Sequence, residues 1–378
     1  MVIIIKFIDK HLGNAICNFL GWFKRKNVEK MEYRKILVIQ LWGIGETVLV
    51  LPSIEALRKK FPSAQIDVLA TPRNKDVFFN NKSINGLHAV KLNPFSVIGF
   101  ILKNMKKYDL AVDMEEYLNI SSIISFFVGK KIVGYSHGSR AKLYDFKVNY
   151  NDSQHASQTF LDLARALNIK YDFEKLPNLN YSKSDKNKVD RFLKDNKVKD
   201  TDVIVCVAPG AAESAKSRIW PFERYAELCD EIIAKYNAKI VFTGIPEESS
   251  LIKSIQDRME AKDRTMNTAG QINLNQLFYL ISKCKLFVGN DAGPMHIAAA
   301  QGIKTLGLFG PNLPVRFGPY GKGNIGLYKG YNCQFSPCIN VHKGQVPDCL
   351  YPRNSNDYQK CMKNISVDDA LKEVEKIV

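Results

Sequence analysis

The chain has 378 residues, 46% of them hydrophobic, and a mean hydropathy of −0.18; it can bury two cores of ordinary size and lacks the bias of a disordered protein. The 54 Lys and Arg against 38 Asp and Glu leave a formal charge of +16, which favours anionic partners such as an acidic glycolipid or a membrane surface. No helix-turn-helix pattern with clustered Arg and no paired Cys/His finger accompanies that charge, so nucleic acid is not an expected partner.

Residues 1–30 come first. Lys6, Asp9, Lys10, Asn14 and Asn18 recur at near-helical spacing, while Ile5, Phe7, Ile8, Leu12, Ile16, Phe19, Leu20 and Phe23 fill the remaining face, which predicts an amphipathic helix. Its charges interrupt any run of the ~20 apolar residues that would span a bilayer, and no signal-peptide cleavage site follows. Trp22 and Lys24-Arg25-Lys26 suit a helix lying among headgroups on the cytoplasmic leaflet. Packing on the protein's own body would use the same pattern.

From Lys35 strands alternate with helices. Ile36–Ile39 is a buried-strand run, Gln40–Glu46 a turn, and Ile54, Leu57 and Phe61 mark one face of the helix after Pro52. Ile66–Ala70, Leu87–Leu92, Asp109–Asp113 and Lys131–Gly134 continue the strands. The alternation implies a doubly wound parallel sheet, with ligands beyond the strands' carboxyl ends, here at Trp42–Glu46 and Met114–Asn119. Gly43 and Gly45, with Asp67 further on, suggest a dinucleotide fingerprint. The third glycine is absent and Val48 and Leu49 stand where a small residue is needed, so an NAD-dependent oxidoreductase is the rival reading. Lys130, Lys131, His137, Arg140, Lys142, Lys147 and His155 gather in the next stretch and suit an acceptor bearing phosphates or acidic sugars.

The polar stretch Ser182–Lys188 marks the connection, giving domains of 31–185 and 186–378. Val203–Ala208 opens the second alternating unit. The loop that follows carries Gly210, Lys216 and Arg218 just ahead of a helix at Pro221, a place where two cations suit a diphosphate. Lys239–Gly244 is the next strand and turn, with Thr243 and Gly244 lining a nucleoside pocket. Leu286–Val288, Gly289–Gly293 and the segment from Pro294 read as strand, tight turn and helix, followed by a strand from Lys304. The unpaired N–H groups of that helix start suit an anion, with Asp291 to accept a sugar hydroxyl and His296 to meet a phosphate; a purely structural turn capped by Asp291 has the same spacing. Cys17, Cys206, Cys229 and Cys284 read as small buried hydrophobes. Cys333, Cys338, Cys349 and Cys361 lack the short paired spacing of zinc ribbons, leaving metal, disulfides and free thiols open. A closing helix begins after Ser366 as cap.

Gly289–Ala300, Leu308–Pro311 and Gly318–Gly321 closely resemble the nucleotide-sugar motif of glycosyltransferase family nine, the ADP-heptose:lipopolysaccharide heptosyltransferases. Gly45–Pro52 with Leu57-Arg58 resembles the family's first motif, and Tyr108–Asp113, Lys131–Tyr135 and Phe160–Ile169 also fit, so the resemblance covers nearly all of the chain after residue 33. It implies the GT-B architecture, two Rossmann-like doubly wound domains facing across a cleft, with the acceptor on the first and the donor on the second. It further implies inversion without metal or cofactor, transfer of heptose from ADP-heptose to a lipopolysaccharide core or similar glycolipid, and a cytoplasmic enzyme peripheral on the inner face of the cytoplasmic membrane. On this reading Glu46 is the general base. Gly210, Lys216, Arg218, Thr243, Gly244, Asp291, Ala292, Gly293 and His296 hold the donor, and Trp42, Gly45, Glu116, His137 and Arg140 the acceptor. Three positions depart from the family: Glu46 replaces an Asp, Ala292 a Thr and Arg218 a common Lys. Glu46 also stands where it could cap its helix, and with Ala292 it leaves room for a non-catalytic sugar-nucleotide-binding membrane scaffold.

Overall fold

In the computed structural model, which describes residues 8–24 and 32–378, the chain divides into two units: residues up to Phe173 with the tip Val341–Gly344, and Glu174–Asn340 with Gln345–Val378. The division falls earlier than 185/186. The Leu179 amide donates to Gln301 Oε1 at 3.1 Å and Asn275 Nδ2 to the Asn180 carbonyl at 3.1 Å, so the connecting residues already belong to the second unit.

The first unit is built on six parallel strands, β1 (Lys35–Ile39), β2 (Gln65–Ala70), β3 (Gly86–Ala89), β4 (Tyr108–Asp113), β5 (Gly129–Tyr135) and β6 (Phe146–Val148), in the order β3-β2-β1-β4-β5-β6. Ile36 pairs with Ile66 on one side and Leu110 on the other. The third strand ends at Ala89 rather than Leu92, and β6 is an edge strand that the sequence did not announce. The helices are α1 (Asn14–Phe23), α2 (Ile44–Leu49), α3 (Leu51–Lys60), α4 (Pro94–Lys103), α5 (Asn119–Val128) and α6 (Ala156–Arg165). Because the strand order reverses at β1, right-handed crossovers put α3 on one face and α4 and α5 on the other. Leu37 and Ile39 accordingly share a core with Val97, Phe100 and Ile101 of α4 and Ile124 and Val128 of α5.

The amino-terminal helix packs on this unit. A π turn over Asp9–Gly13 leads into α1. Gly13, Cys17 and Gly21, four residues apart, form its inner face: a Cβ on Gly13 would stand 2.7 Å from Asn119 Cβ and one on Gly21 2.9 Å from Lys142 Cβ, and Cys17 is fully buried. The Asp9 carboxylate accepts the amides of Asn119 and Ile120 at 2.8 Å each, capping α5. Ile8, Leu12, Phe19, Trp22 and Phe23 stay exposed on the outer face. Residues 2–7, Arg25 and Lys26, which the sequence reading included in this segment, lie outside the described residues. Among the described residues no helix is long and apolar enough to cross a membrane.

The second unit repeats the plan. Its helices α7 (Lys183–Asp195), α8 (Phe222–Tyr236), α9 (Ser249–Arg258), α10 (Leu274–Ser282), α11 (Gly293–Ala300) and α12 (Val367–Ile377) flank β7 (Ile204–Ala208), β8 (Lys239–Phe242), β9 (Thr265–Asn267), β10 (Leu286–Asn290), β11 (Lys304–Phe309) and β12 (Ile325–Tyr328). All are parallel, in the order β12-β11-β10-β7-β8-β9. Ser366 caps α12 as expected, in a reciprocal box with Asp369. All eight thiols are free, and Cys333 and Cys361 join the second unit's core. Among the described residues no group of three or more His, Cys, Asp or Glu side chains could hold a metal ion.

Candidate active site

The turn after β1 is shaped by Gly43, whose φ of +57° starts α2. The Glu46 side chain folds back over it so closely that any Cβ at position 43 would collide with Glu46 Oε2. Glycine is needed here for the positive-φ backbone; the Glu46 carboxylate is the end of a flexible side chain and could move aside. Buried Asn74 locks the turn from behind by donating to the Gln40 carbonyl at 2.9 Å and to Thr47 Oγ1 at 2.8 Å. Gly45 is buried in the same turn, while Trp42 and Glu46 are half-buried.

The loop after β4 meets this turn. Glu115 Oε1 accepts the amides of Leu41 at 2.6 Å and Trp42 at 2.9 Å. Gln40, Trp42, Glu46, Met114, Glu115, Glu116, Tyr117, Phe160 and Val341 line one pocket, so three of the expected residues, Trp42, Glu46 and Glu116, come together. His137 joins them at one remove: its Nε2 donates to the Glu116 carbonyl at 2.6 Å, and burial holds its pKa below the usual value. Tyr150 donates to the Glu116 carboxylate and stacks on His342, ring centroids 4.4 Å apart. The tip 341–344 thus adds Val341 and His342, which the sequence reading did not anticipate.

Arg140 is placed otherwise. It is 1% exposed, its guanidinium donating to Asp113 Oδ2 at 2.8 Å and to the Tyr144 hydroxyl at 2.7 Å. Burial opposes its charge, but Tyr144 and Asp113 outweigh that and hold it protonated. A buried cation needs such partners; with them it supports the β4 end from within.

Burial pushes the Glu115 carboxyl up to about 8; the Leu41 amide opposes this and Asp113 adds to it. The folded state then holds a proton that the unfolded chain releases near pH 4.5, so this group's stabilisation is complete below that pH and is lost as pH rises toward about 8. Glu115→Gln keeps an oxygen for both amides and carries no charge. The variant is expected to match the parent near pH 5 and to melt higher above pH 8; identical melting curves at pH 9 would refute a neutral Glu115.

In the second unit, Asn290 at the end of β10 accepts the Trp220 amide at 3.2 Å and the Tyr225 hydroxyl at 2.9 Å and donates to the Pro209 carbonyl at 2.7 Å. Three chain segments meet there. Buried Asp291 accepts Asn312 Nδ2 at 2.9 Å and pairs with Arg218 at 3.3 Å, and Arg218 also donates to the Asp291 carbonyl at 2.9 Å. Arg218 is thus engaged by Asp291, while Lys216 in the same 3-10 segment is exposed. Ala292 is the N-cap of α11, Gly293 its first residue and Pro294 lies in its first turn; His296 is buried one turn on. The expected strand, turn and helix are all present, with the helix's first N–H groups at the turn.

Buried Thr243 closes β8, its amide bonded to the Val207 carbonyl at 2.9 Å. Gly210 and Gly244 lie against the Glu248 carboxyl, and a Cβ on Gly244 would stand 2.5 Å from its Oε2, which accepts the Ile245 amide at 2.9 Å. Burial raises the Glu248 pKa. Glu248 was not singled out in the sequence.

Two Rossmann-like parallel sheets, each with polar groups at its strands' carboxyl ends, match the GT-B fold. The model of glycosyltransferase family 9 (heptosyltransferase) matches residues 102–343, and the chain belongs to that family. Lipooligosaccharide heptosyltransferase 2 of Haemophilus influenzae is 27% identical over 297 residues, 74% of this chain and 84% of that protein. Among solved structures, a family 9 glycosyltransferase from Veillonella parvula superposes with a TM-score of 0.76 at 22% identity, covering 92% of this chain and 98% of the other. The ADP-heptose lipopolysaccharide heptosyltransferase II of E. coli gives 0.70 at 20% identity, covering 91% and 98%. The oxidoreductase alternative is not favoured.

Proposed function

We propose that this chain transfers heptose from ADP-heptose to a lipopolysaccharide core, or a closely related anionic glycolipid, with inversion and without a metal, at the inner face of the cytoplasmic membrane. The observation that carries this reading is the turn from β10 into α11, with Asp291, Arg218 and His296 around a helix start, in a member of this family. The first N–H groups of α11, His296 and Lys216 meet the diphosphate, Asp291 positions Arg218 and accepts a sugar hydroxyl, and Glu248 takes a ribose hydroxyl. In the first unit Trp42, Glu116 and His137 surround the acceptor. Glu46 removes the acceptor hydroxyl's proton as the new C1–O bond forms and the bond to the diphosphate breaks, and ADP leaves with the added charge that these cations and amides stabilise.

Incubation with ADP-heptose and heptose-deficient lipopolysaccharide should give a product heavier by one heptosyl residue, with one ADP released per transfer, undiminished by EDTA. Rescue of an EDTA-inactivated enzyme by Mg²⁺ would rule out the metal-free mechanism. Donor binding without any transfer would favour the scaffold reading that Ala292 invites.

A further inference from the structure

We infer that α1 and α4 together form one docking face for an anionic lipid bilayer, a proposal that deepens the reading of a membrane-embedded acceptor and rests on it. The sequence singled out only the amino-terminal helix; α4 is the new member. Phe95, Ile98, Leu102 and Met105 recur at three- and four-residue steps along α4 and its end, and all are exposed, Phe95 by 89%. Val97, Phe100 and Ile101 occupy the opposite side and fill the core. A helix that buries one apolar stripe and leaves a second in water is unusual for a chain surrounded by solvent alone. On α1 the outer stripe Ile8, Leu12, Phe19, Trp22 and Phe23 is exposed in the same way, Trp22 by 81%.

The two helices are both neighbours of α5. α4 and α5 cover the same face of the sheet, and α1 packs against α5. Phe127 of α5 packs against the clusters under both helices. Lys24 just after α1 pairs with Asp145 at 2.7 Å; Lys106 just after α4 donates to the Gly129 carbonyl at 2.8 Å, and the Lys24 charge is near enough to disfavour that of Lys106, though burial does so more.

Charge selects an anionic bilayer over a second copy of this basic chain. Residues 91–107 carry Lys91, Lys103, Lys106 and Lys107 and no acid. Of the acids near α1, Asp9 caps α5 and Asp145 is paired with Lys24. Apolar side chains between lysines, with Asp9 and Asp145 both engaged among the described residues, suit the boundary between acyl chains and anionic headgroups.

The full chain should co-sediment with vesicles of phosphatidylethanolamine and phosphatidylglycerol and only weakly with phosphatidylcholine. Because these vesicles contain no lipopolysaccharide, the result is independent of whether the chain transfers heptose. Phe95→Ser/Ile98→Ser/Leu102→Ser and, separately, Phe19→Ser/Trp22→Ser should each lower vesicle affinity about tenfold or more, and Lys103→Glu/Lys107→Glu should remove the preference for the anionic lipid. Melting of the first unit and the ADP-induced thermal shift are expected to stay as in the parent, which separates lost docking from lost folding. Parent-like sedimentation of the α4 variant overturns the proposal. So does a parent that ignores anionic vesicles but self-associates through these residues, since the face would then belong to a second copy.

Discussion

Replacing Glu46 by Gln is expected to lower kcat by about 10²–10⁴-fold, the range that a positioned general base contributes, while leaving ADP affinity and melting unchanged. Single-step inversion needs a base on the side opposite the leaving diphosphate, and the half-buried carboxylate folded over Gly43 is available for it. If Glu46 instead served only the start of α2, its replacement would cost about 0.3–1 kcal/mol of stability and spare turnover. Glu46→Asp restores the residue of the family motif but shortens the reach by one methylene; with this turn fitted to Glu, it should recover only part of the rate. Near-normal turnover in Glu46→Gln would move the search along the β4 end. There Asp113 is bound to Arg140 and Glu115 to two backbone amides, which leaves Glu116, paired with Tyr150, as the candidate.

Arg140→Met should destabilise the first unit by about 3–5 kcal/mol, because it strands the Asp113 carboxylate in a site that is wholly buried. Replacing both partners, Asp113→Leu with Arg140→Met, removes the uncompensated charge, and much of the loss should return. The two units need not melt together, so calorimetry should be read transition by transition, with the ADP-responsive transition staying in place. A double variant as unstable as the single one would show that packing around Tyr144 and Ser121, rather than charge, is what the arginine supplies.

The contrast between Glu46 and Arg140 shows what the sequence could reveal. Strands β1, β2, β4, β7 and β10 were legible because each is a largely apolar stretch buried on both faces, and the α11 turn because Gly289–Pro294 leaves few other conformations. β6, β9 and β12 were not: they are edge strands of three or four residues with partial burial, too short and too mixed for either periodicity. Arg140 read as a surface cation because its partner lies 27 residues upstream and nothing local records their meeting. Glu248 escaped for the same reason, since its place follows from Gly210 and Gly244 closing around it from two different strands. The amino-terminal helix was legible as amphipathic, but not that it has two apolar faces of different kinds, one seated on α5 and one open.

That seating separates two kinds of evolutionary constraint. The inner contact of α1 rests on two glycines, the Cys17 thiol with Ile16 and Leu20 beside it, and the Asp9 and Asn14 side chains. Removal of the whole helix would uncap α5 and uncover Ile123 and Leu143, so the segment is no detachable tether whose deletion leaves the rest untouched. The outer residues answer to nothing inside the fold. Lineages living with different envelope lipids could rewrite Leu12, Phe19, Trp22 and Phe23 freely while Asp9, Gly13, Cys17 and Gly21 stayed put, and that split in tolerance would be the record of which face evolved for the protein and which for its surroundings.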